Sequence, residues 1–445
     1  DEHWDVEPEK FAFQVMSRSK QITYENLRLR DNAFVDNVVA AFIKAQRNVG
    51  YEVEDGTPPM FAPFKLREMQ LANRVVMSPM AQYSAQDGLP GDWHLVHYGS
   101  RGIGGSGLIY TEMTCPSPEA RITRGCTGIW NNEQTCAWKR IVDFVHANGP
   151  AKMCLQIGHA GRKGSTRVAW EGMDLPLESH NWPIVSASPI PYREESATPS
   201  ELSASQMDEI TDTFVQATKN AESAGFDMIE LHAAHGYLMA SFLSPLTNQR
   251  TDEYGGTVEN RMRFPLRVFE AMRSVWPQHK PMSVRVSATD WAEGGLTEVD
   301  LLAICSAFKR AGADVINVST GQTVSFEKPV YGRMFQVPFA DKIKHRVGIP
   351  TIVAGNITNA DQVNTVVLSG RADLVALARP HLNNAQFTAD AAARLGFEQQ
   401  NWPNPYLSGK FQAYLVGERD EEERRNMQLA LKTGSHQLKD YDHVE

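Results

Sequence analysis

The sequence predicts an α/β protein, a (β/α)8 TIM barrel with N- and C-terminal extensions. Eight short apolar runs, rich in β-branched residues, recur between about residue 56 and residue 395. Polar turns and amphipathic stretches separate these runs, so strands and helices alternate along the chain. The runs are nearly continuous in hydrophobicity, as the strands of a buried parallel sheet are. The eight predicted strands are 73–80, 107–114, 151–161, 227–236, 282–288, 315–321, 350–356 and 373–380.

Two of the intervening stretches carry clear helix signals. Residues 205–225 place apolar side chains at helical spacing and end at Gly225. Residues 297–312 begin at Thr297, a residue type that caps helix N-termini, and they end at Gly312. A glycine just after the last turn is a common helix stop, so both stretches are predicted to be helices.

An open, doubly wound sheet is the alternative fold for this alternation. That fold would need a glycine-rich dinucleotide fingerprint directly after a strand. The glycine-rich segment 102–107 instead precedes the second predicted strand. The barrel is therefore the favoured prediction.

Two segments lie outside the predicted barrel, which covers residues 56–395. The N-terminal extension, residues 1–55, contains one amphipathic stretch at 34–47. The C-terminal extension, residues 396–445, ends in a charge-dense predicted helix at 417–432. We interpret that helix as a solvated surface helix rather than as a partner site.

Composition and charge exclude several classes of protein. The 445-residue chain has 44 basic and 53 acidic side chains and a net charge of −9, which argues against nucleic acid or an anionic membrane as partner. No apolar run reaches the length of a membrane span, and the acidic first residues do not resemble a signal peptide. The five cysteines form no CxxC pair, so neither a zinc site nor an iron–sulfur cluster is predicted. We expect a cytoplasmic protein.

The polar residues of interest gather where the predicted strands end. In a TIM barrel, chemistry is carried out at the C-terminal ends of the strands. The fourth predicted strand ends with His232 and His235, followed by Tyr237. Other strand ends offer neutral or cationic donors, such as Gln156 and Arg285, and few carboxylates.

Three interpretations of the two histidines are open at this point. A zinc site needs a third ligand, which only a distant strand could supply. An inert, hydrogen-bonded pair is compatible with an apolar strand. Two donors at a strand end fit better with binding an oxygen that becomes anionic, so we expect no metal.

The last two predicted strands suggest a phosphate site. Gly355 and Asn356 form a turn that leads into a predicted helix, and Arg379 follows the neighbouring strand. Backbone N–H groups at a helix start and one guanidinium together bind phosphate well. A simple turn glycine is the alternative interpretation of Gly355.

Five motifs in order along the chain resemble those of one known family, the old yellow enzymes, FMN-dependent ene-reductases, in their bacterial subclass. The resemblance covers roughly residues 60–390, and the long motif of the fourth strand is the most specific. The motifs are NRVVMSPMAQYS, LQIGHAGRKG, IELHAAHGYLMASFLSPLTNQRTDEYGGTVENR, VRVSATDW and GRADLVALARP.

The resemblance implies FMN as cofactor and NADPH or NADH as reductant. It implies that His232 and His235 bind the carbonyl oxygen of an activated alkene. It also implies that Tyr237 donates a proton to the α-carbon of this alkene and that Tyr83 lines the substrate pocket. Hydride would pass from FMN to the β-carbon of the alkene, and Arg285 would stabilise negative charge on the cofactor. The implied cofactor-binding residues are Ser78, Pro79, Met80, Ala81, Met113, Gln156, Arg285, Gly355, Asn356, Ala378 and Arg379.

Ala81 departs from the family pattern, because many members of the subclass have cysteine at this position. A thiol there hydrogen-bonds the flavin, and alanine cannot. We therefore expect Ala81→Cys to change the reduction potential of bound FMN, as measured by spectroelectrochemistry. Equal potentials in the two proteins would contradict this expectation.

The chain's ends carry two further expectations. Residues 16–31 resemble the end of a flavin monooxygenase of the salicylyl-CoA or 2-aminobenzoyl-CoA type, in which such a barrel follows the hydroxylase. This resemblance implies a covalently linked monooxygenase domain and a dearomatised aryl-CoA thioester as substrate. The family also implies a homo-oligomer, although residues 404–410 lack the arginine that some relatives place in a neighbouring subunit.

Two rival functions follow from the same fold. A 2,4-dienoyl-CoA reductase-like enzyme would share the barrel but needs a cysteine cluster, which the sequence lacks. A module that binds FMN or an acyl-CoA without turnover would not need the two histidines and Tyr237.

Overall fold

Eight parallel strands close into a barrel in the computed structural model, which describes residues 23–432. Each strand pairs with the next along the chain, and the last pairs with the first. The (β/α)8 prediction is therefore confirmed, and the open sheet is excluded. The strands are β1 Val75–Met77, β2 Leu108–Tyr110, β3 Lys152–Ile157, β4 Met228–Ala233, β5 Met282–Ser287, β6 Val315–Ser319, β7 Thr351–Val353 and β8 Leu374–Leu377.

Helices alternate with the barrel strands along the chain. Single-turn 3-10 helices lie at Pro59–Phe61, Pro118–Ala120, Gly161–Lys163 and Asn404–Tyr406. The α-helices are α1 Tyr24–Arg30, α2 Asn32–Asn48, α3 Asp92–Ile103, α4 Asn132–Asn148, α5 Ala169–Gly172, α6 Ala204–Ser223, α7 Leu238–Leu243, α8 Val258–Val275, α9 Glu298–Arg310, α10 Val337–Val347, α11 Ala360–Leu368, α12 Arg379–Asn383, α13 Phe387–Arg394 and α14 Leu407–Lys432.

The boundaries predicted for α6 and α9 agree with the observed ones to within two residues, whereas α14 begins at Leu407, ten residues before the predicted start at 417. The Thr297 side chain accepts a hydrogen bond from the Asp300 backbone N–H and caps α9. Gly225 and Gly312 follow the ends of α6 and α9 with φ of +87° and +102°, in the left-handed region. Because a side chain is unfavourable there, glycine ends both helices.

A β-hairpin that the sequence did not predict closes the N-terminal end of the barrel. Its strands, Phe64–Leu66 and Met69–Leu71, run antiparallel and point alternate side chains into the apolar interior of the barrel. At the hairpin turn, Arg67 forms an ion pair of 2.7 Å with Asp314, which precedes β6. Further strands pair at Val185–Ser186 and Ser200–Glu201.

The described part of each extension packs against the barrel. In α1, the backbone N–H of Tyr24 donates to the Thr365 hydroxyl at 3.0 Å, and that of Glu25 donates to the Asp361 carboxylate at 2.8 Å. The C-terminal helix α14 lies along α13, and the Tyr414 hydroxyl donates to the Phe397 carbonyl. Residues 1–22 and 433–445, which the prediction assigned to the extensions, lie outside the described residues. The division at 55 and 395 stays a prediction.

No helix within residues 23–432 is long and apolar enough to cross a membrane.

Candidate active site

A cavity of about 1030 Å³ opens at the C-terminal ends of the barrel strands. All the predicted site residues except Met80 and Tyr83 line it. Within residues 23–432, no three His, Cys, Asp or Glu side chains come together where they could hold a metal ion. The lining residues among those predicted are Ser78, Pro79, Ala81, Met113, Gln156, His232, His235, Tyr237, Arg285, Gly355, Asn356, Ala378 and Arg379.

The two predicted residues outside the lining lie close to it. Met80 packs against the main hydrophobic core. Tyr83 packs with Tyr237 against a small cluster around Met113 and Cys126. Tyr83 therefore contacts the wall behind the cavity.

The two histidines and the tyrosine form a compact group at the end of β4. The rings of His232 and His235 lie 5.1 Å apart at 74°, and those of His232 and Tyr237 lie 4.9 Å apart at 84°. Nδ1 of His232 accepts a hydrogen bond of 3.2 Å from the Ala234 backbone N–H. In the neutral ring, this leaves the proton on Nε2, which can donate to a ligand.

A left-handed turn brings these side chains together. His235 and Gly236 have φ of +60° and +71°. A Cβ on Gly236 would lie 2.7 Å from the Gln322 carbonyl oxygen, so only glycine fits there. The Ser287 hydroxyl accepts from the His235 backbone N–H at 2.9 Å, and the Ser319 hydroxyl lies 2.7 Å from His235 Nε2. The turn is thus held from two neighbouring strands.

The protein environment sets the protonation states of this group. Burial, with the nearby Arg285 charge, lowers the pKa of His232 and that of His235 well below 6.5. Burial raises the pKa of Tyr237 well above 10. The imidazoles are therefore neutral and the phenol protonated near neutral pH.

Arg285 and Gln156 supply donors and acceptors at the floor of the cavity. Arg285 is buried, and its Nε has no partner among the described residues. An unpaired buried guanidinium N–H is costly, so the site suits a ligand with acceptor atoms at this position. The ring of FMN carries such oxygens and nitrogens, and the predicted residues fit it.

The other end of the cavity suits an anionic group. Gly355 and Asn356, after β7, have φ of +105° and +53°, and Arg379 is exposed at the start of α12. Thr358 and Asn383 add polar side chains to the same part of the lining. These residues could hold the FMN phosphate.

Lys163 is a site residue that the sequence analysis missed. Its Nζ donates to the backbone carbonyls of His235 at 3.2 Å and Gln322 at 3.3 Å. The same ammonium lies 5.3 Å from the centre of the Tyr237 ring. The available signal was the motif LQIGHAGRKG, in which Lys163 follows the third predicted strand.

We expect the stability contribution of Lys163 to depend on pH. Burial lowers the pKa of Lys163 from 10.5 to about 8. Between these values the unfolded chain binds more protons than the folded one, so folding becomes more favourable as pH rises. The free energy of unfolding of the wild type, relative to that of Lys163→Met, should rise by up to about 2 kcal/mol between pH 8 and pH 10. Urea unfolding at both pH values measures this difference, and a constant difference would contradict it.

Aromatic side chains on two loops also line the cavity and were not predicted. Trp291 follows β5, and Tyr331 and Phe335 lie in the long connection between β6 and α10. Loops carry no hydrophobic periodicity, so no local pattern assigns these side chains to the site.

Comparisons with known proteins show what this chain is similar to. Residues 59–397 match the model of the NADH:flavin oxidoreductase / NADH oxidase family. A protein named NADPH dehydrogenase, from Listeria monocytogenes serotype 4a (strain HCC23), is 43% identical over 339 residues, which cover 76% of this chain and 95% of that protein.

Two solved structures are similar in fold. Morphinone reductase superposes with a TM-score of 0.64 at 29% identity, over 79% of this chain and 93% of the other. A complex of 2-naphthoyl-CoA reductase with 2-naphthoyl-CoA superposes with a TM-score of 0.68 at 22% identity, which shows the shared fold alone. That alignment covers 75% of this chain and 52% of the other, so the chain spans about half of that protein's length.

Proposed function

Because the chain belongs to the NADH:flavin oxidoreductase / NADH oxidase family, we propose that it reduces the C=C bond of activated alkenes. Membership confirms the resemblance to the old yellow enzymes. The protein is an oxidoreductase that uses FMN with NADPH or NADH. The alkene as substrate and the roles of individual residues are our proposal.

One observation carries the proposal: His232, His235 and Tyr237 line one cavity with Arg285. Burial lowers the pKa of both histidines and raises that of Tyr237, which favours neutral imidazoles and a protonated phenol. A carbonyl conjugated to the alkene would accept hydrogen bonds from His232 and His235. Preformed donors of this kind stabilise the negative charge that develops on such an oxygen during reduction. Tyr237 would then give its proton to the α-carbon of the alkene.

The other residues of the cavity would hold the cofactor. Bound FMN would supply the hydride chemistry that links the nicotinamide to the β-carbon of the alkene. Arg285 and Gln156 would contact the ring, and Gly355, Asn356 and Arg379 the phosphate. The aromatic loops would cover the mouth and exclude water from the substrate.

A two-step assay tests the proposal. The purified protein should be yellow, lose its colour with NADPH under anaerobic conditions, and regain it when cyclohexenone is added. Colour that NADPH bleaches but no enone restores would contradict alkene reduction. Colour that no nicotinamide bleaches would favour a module that binds FMN without turnover.

Three finer expectations remain proposals. The natural substrate could be tested in the same assay with aryl-CoA thioesters beside simple enones and enals. A covalently linked monooxygenase and a homo-oligomer need the full-length gene product and its mass in solution. The alternative, a 2,4-dienoyl-CoA reductase-like enzyme, needs a cysteine cluster. Among the described residues, no group that could hold a metal ion is formed by Cys115, Cys126, Cys136, Cys154 and Cys305.

A further inference from the structure

Glu230 is a carboxylate fully buried inside the barrel, one layer below the candidate site. It lies on β4 with no exposed surface, and its side chain points inward, as that of His232 does. Beneath it, the barrel interior is filled by apolar side chains. A carboxylate in such a position is costly unless neighbouring groups satisfy it.

Side chains from three other strands hydrogen-bond this carboxylate. Gln156 on β3 donates through Nε2 to one oxygen at 2.7 Å, and Ser283 on β5 donates to the other at 2.8 Å. The Asn317 amide on β6 reaches both oxygens, at 3.2 and 3.0 Å. Glu230 thus joins four strands through one polar layer.

Arg285 lies directly above this layer. In the pairing of β4 with β5, Glu230 is opposite Ser283, and His232 is opposite Arg285. Among the described residues, the Arg285 guanidinium forms no ion pair, so the nearby carboxylate acts on it through space. The attraction of Glu230 raises the pKa of Arg285, although burial lowers it overall.

Glu230 also fixes the orientation of the Gln156 amide. Because Nε2 of Gln156 donates to the carboxylate, its carbonyl oxygen is the acceptor left for a ligand in the cavity, which Gln156 lines. A neutral amide in place of Glu230 could accept or donate, and the orientation would no longer be enforced.

We propose that Glu230 is a positioning residue that sets the electrostatics of the FMN site. Its negative charge partly offsets the positive charge of Arg285, and its hydrogen bond orients Gln156. Through these two contacts, Glu230 keeps the reduction potential of bound FMN lower than Arg285 alone would set it.

The variant Glu230→Gln tests this, because it keeps the shape of the side chain and removes the charge. We expect the equilibrium of two-electron FMN reduction to shift at least tenfold toward the reduced form, a rise of about 30 mV in potential. Spectroelectrochemistry of the FMN-loaded protein measures this without any alkene, so the result is independent of the proposed substrate. If the folded, FMN-loaded variant had the same potential as the wild type, Glu230 would have only a structural role and the proposal would be overturned.

Two matched controls separate charge from hydrogen bonding and from burial. Ser283→Ala removes one hydrogen bond to Glu230 but keeps its charge. Glu112→Gln neutralises another buried carboxylate, which lies 3.1 Å from His94 Nε2. Both should leave the potential unchanged, and a rise as large as that of Glu230→Gln in either control would overturn the assignment.

The double variant Glu230→Gln/Arg285→Gln keeps the proposal testable where the single variant fails to fold. Removing two buried opposite charges together is tolerated better than removing one of them. Arg285→Gln alone should lower the potential of FMN, and the double variant should return part of the way to the wild-type value. A double variant with the same potential as Arg285→Gln would show that Glu230 has no electrostatic effect on the cofactor.

Discussion

Tyr237→Phe should slow the reduction of cyclohexenone by a factor of about 10² to 10⁴, the usual contribution of a positioned general acid. The reduction of FMN by NADPH should continue at close to the wild-type rate, because that step needs no proton from the phenol. The phenylalanine ring fills the same space beside His232, so the geometry of the site is kept. Stopped-flow measurement of the two half-reactions separates the effects.

Tyr83→Phe is the matched control for this variant. Tyr83 packs beside Tyr237 but does not line the cavity, and burial likewise raises the pKa of its phenol well above 10. Its loss of a hydroxyl should leave both half-reactions nearly unchanged. If Tyr83→Phe slowed enone reduction as much as Tyr237→Phe does, the proton would come from another donor. The same conclusion would follow if Tyr237→Phe slowed both half-reactions equally.

His232→Ala should lower kcat/KM for the enone by a factor of about 10² to 10³, as the loss of one oxyanion donor does in other enzymes. The matched control is His159→Ala. His159 is also buried, and its Nδ1 accepts from the Gly161 backbone N–H at 3.0 Å, but it does not line the cavity. FMN content must be measured in both variants, since a loss of cofactor would lower the rate indirectly.

The pH profile of the wild type gives an independent check on the histidines. Burial lowers the pKa of His232 and that of His235 well below 6.5, so both stay neutral as pH rises from about 6 to 8. Enone reduction should therefore be flat over this range. An inflection near pH 6.5 that disappears in His232→Ala would contradict the neutral donors.

The sequence was most informative where regular structure and chemistry coincide. The buried parallel strands are continuous apolar runs, so β3, β4 and β5 and the polar residues at their ends could be placed without coordinates. The observed strands are shorter than predicted, because the apolar runs continue into the loops that form the site. The short β1 and β7 show this most clearly.

The sequence was least informative where contacts are long-range. Glu230 reads as an ordinary strand residue until three neighbouring strands bring Gln156, Ser283 and Asn317 to it. Lys163 reads as a surface lysine until the chain folds over it and the His235 carbonyl accepts its hydrogen bond. No local periodicity encodes such contacts, because they depend on register between distant segments.

The hairpin of Phe64–Leu66 and Met69–Leu71 closes one end of the barrel, so that only the opposite end is open. Within residues 23–432, its apolar side chains and the filled interior leave no passage along the barrel axis. Every molecule that reacts above Arg285 must therefore arrive and leave by the same mouth. If nicotinamide and alkene occupy the same position beside the histidines, they have to take turns, and oxidised nicotinamide departs before the alkene enters. Because the two substrates would bind in turn at one position, double-reciprocal plots of the steady-state rate should then show parallel lines.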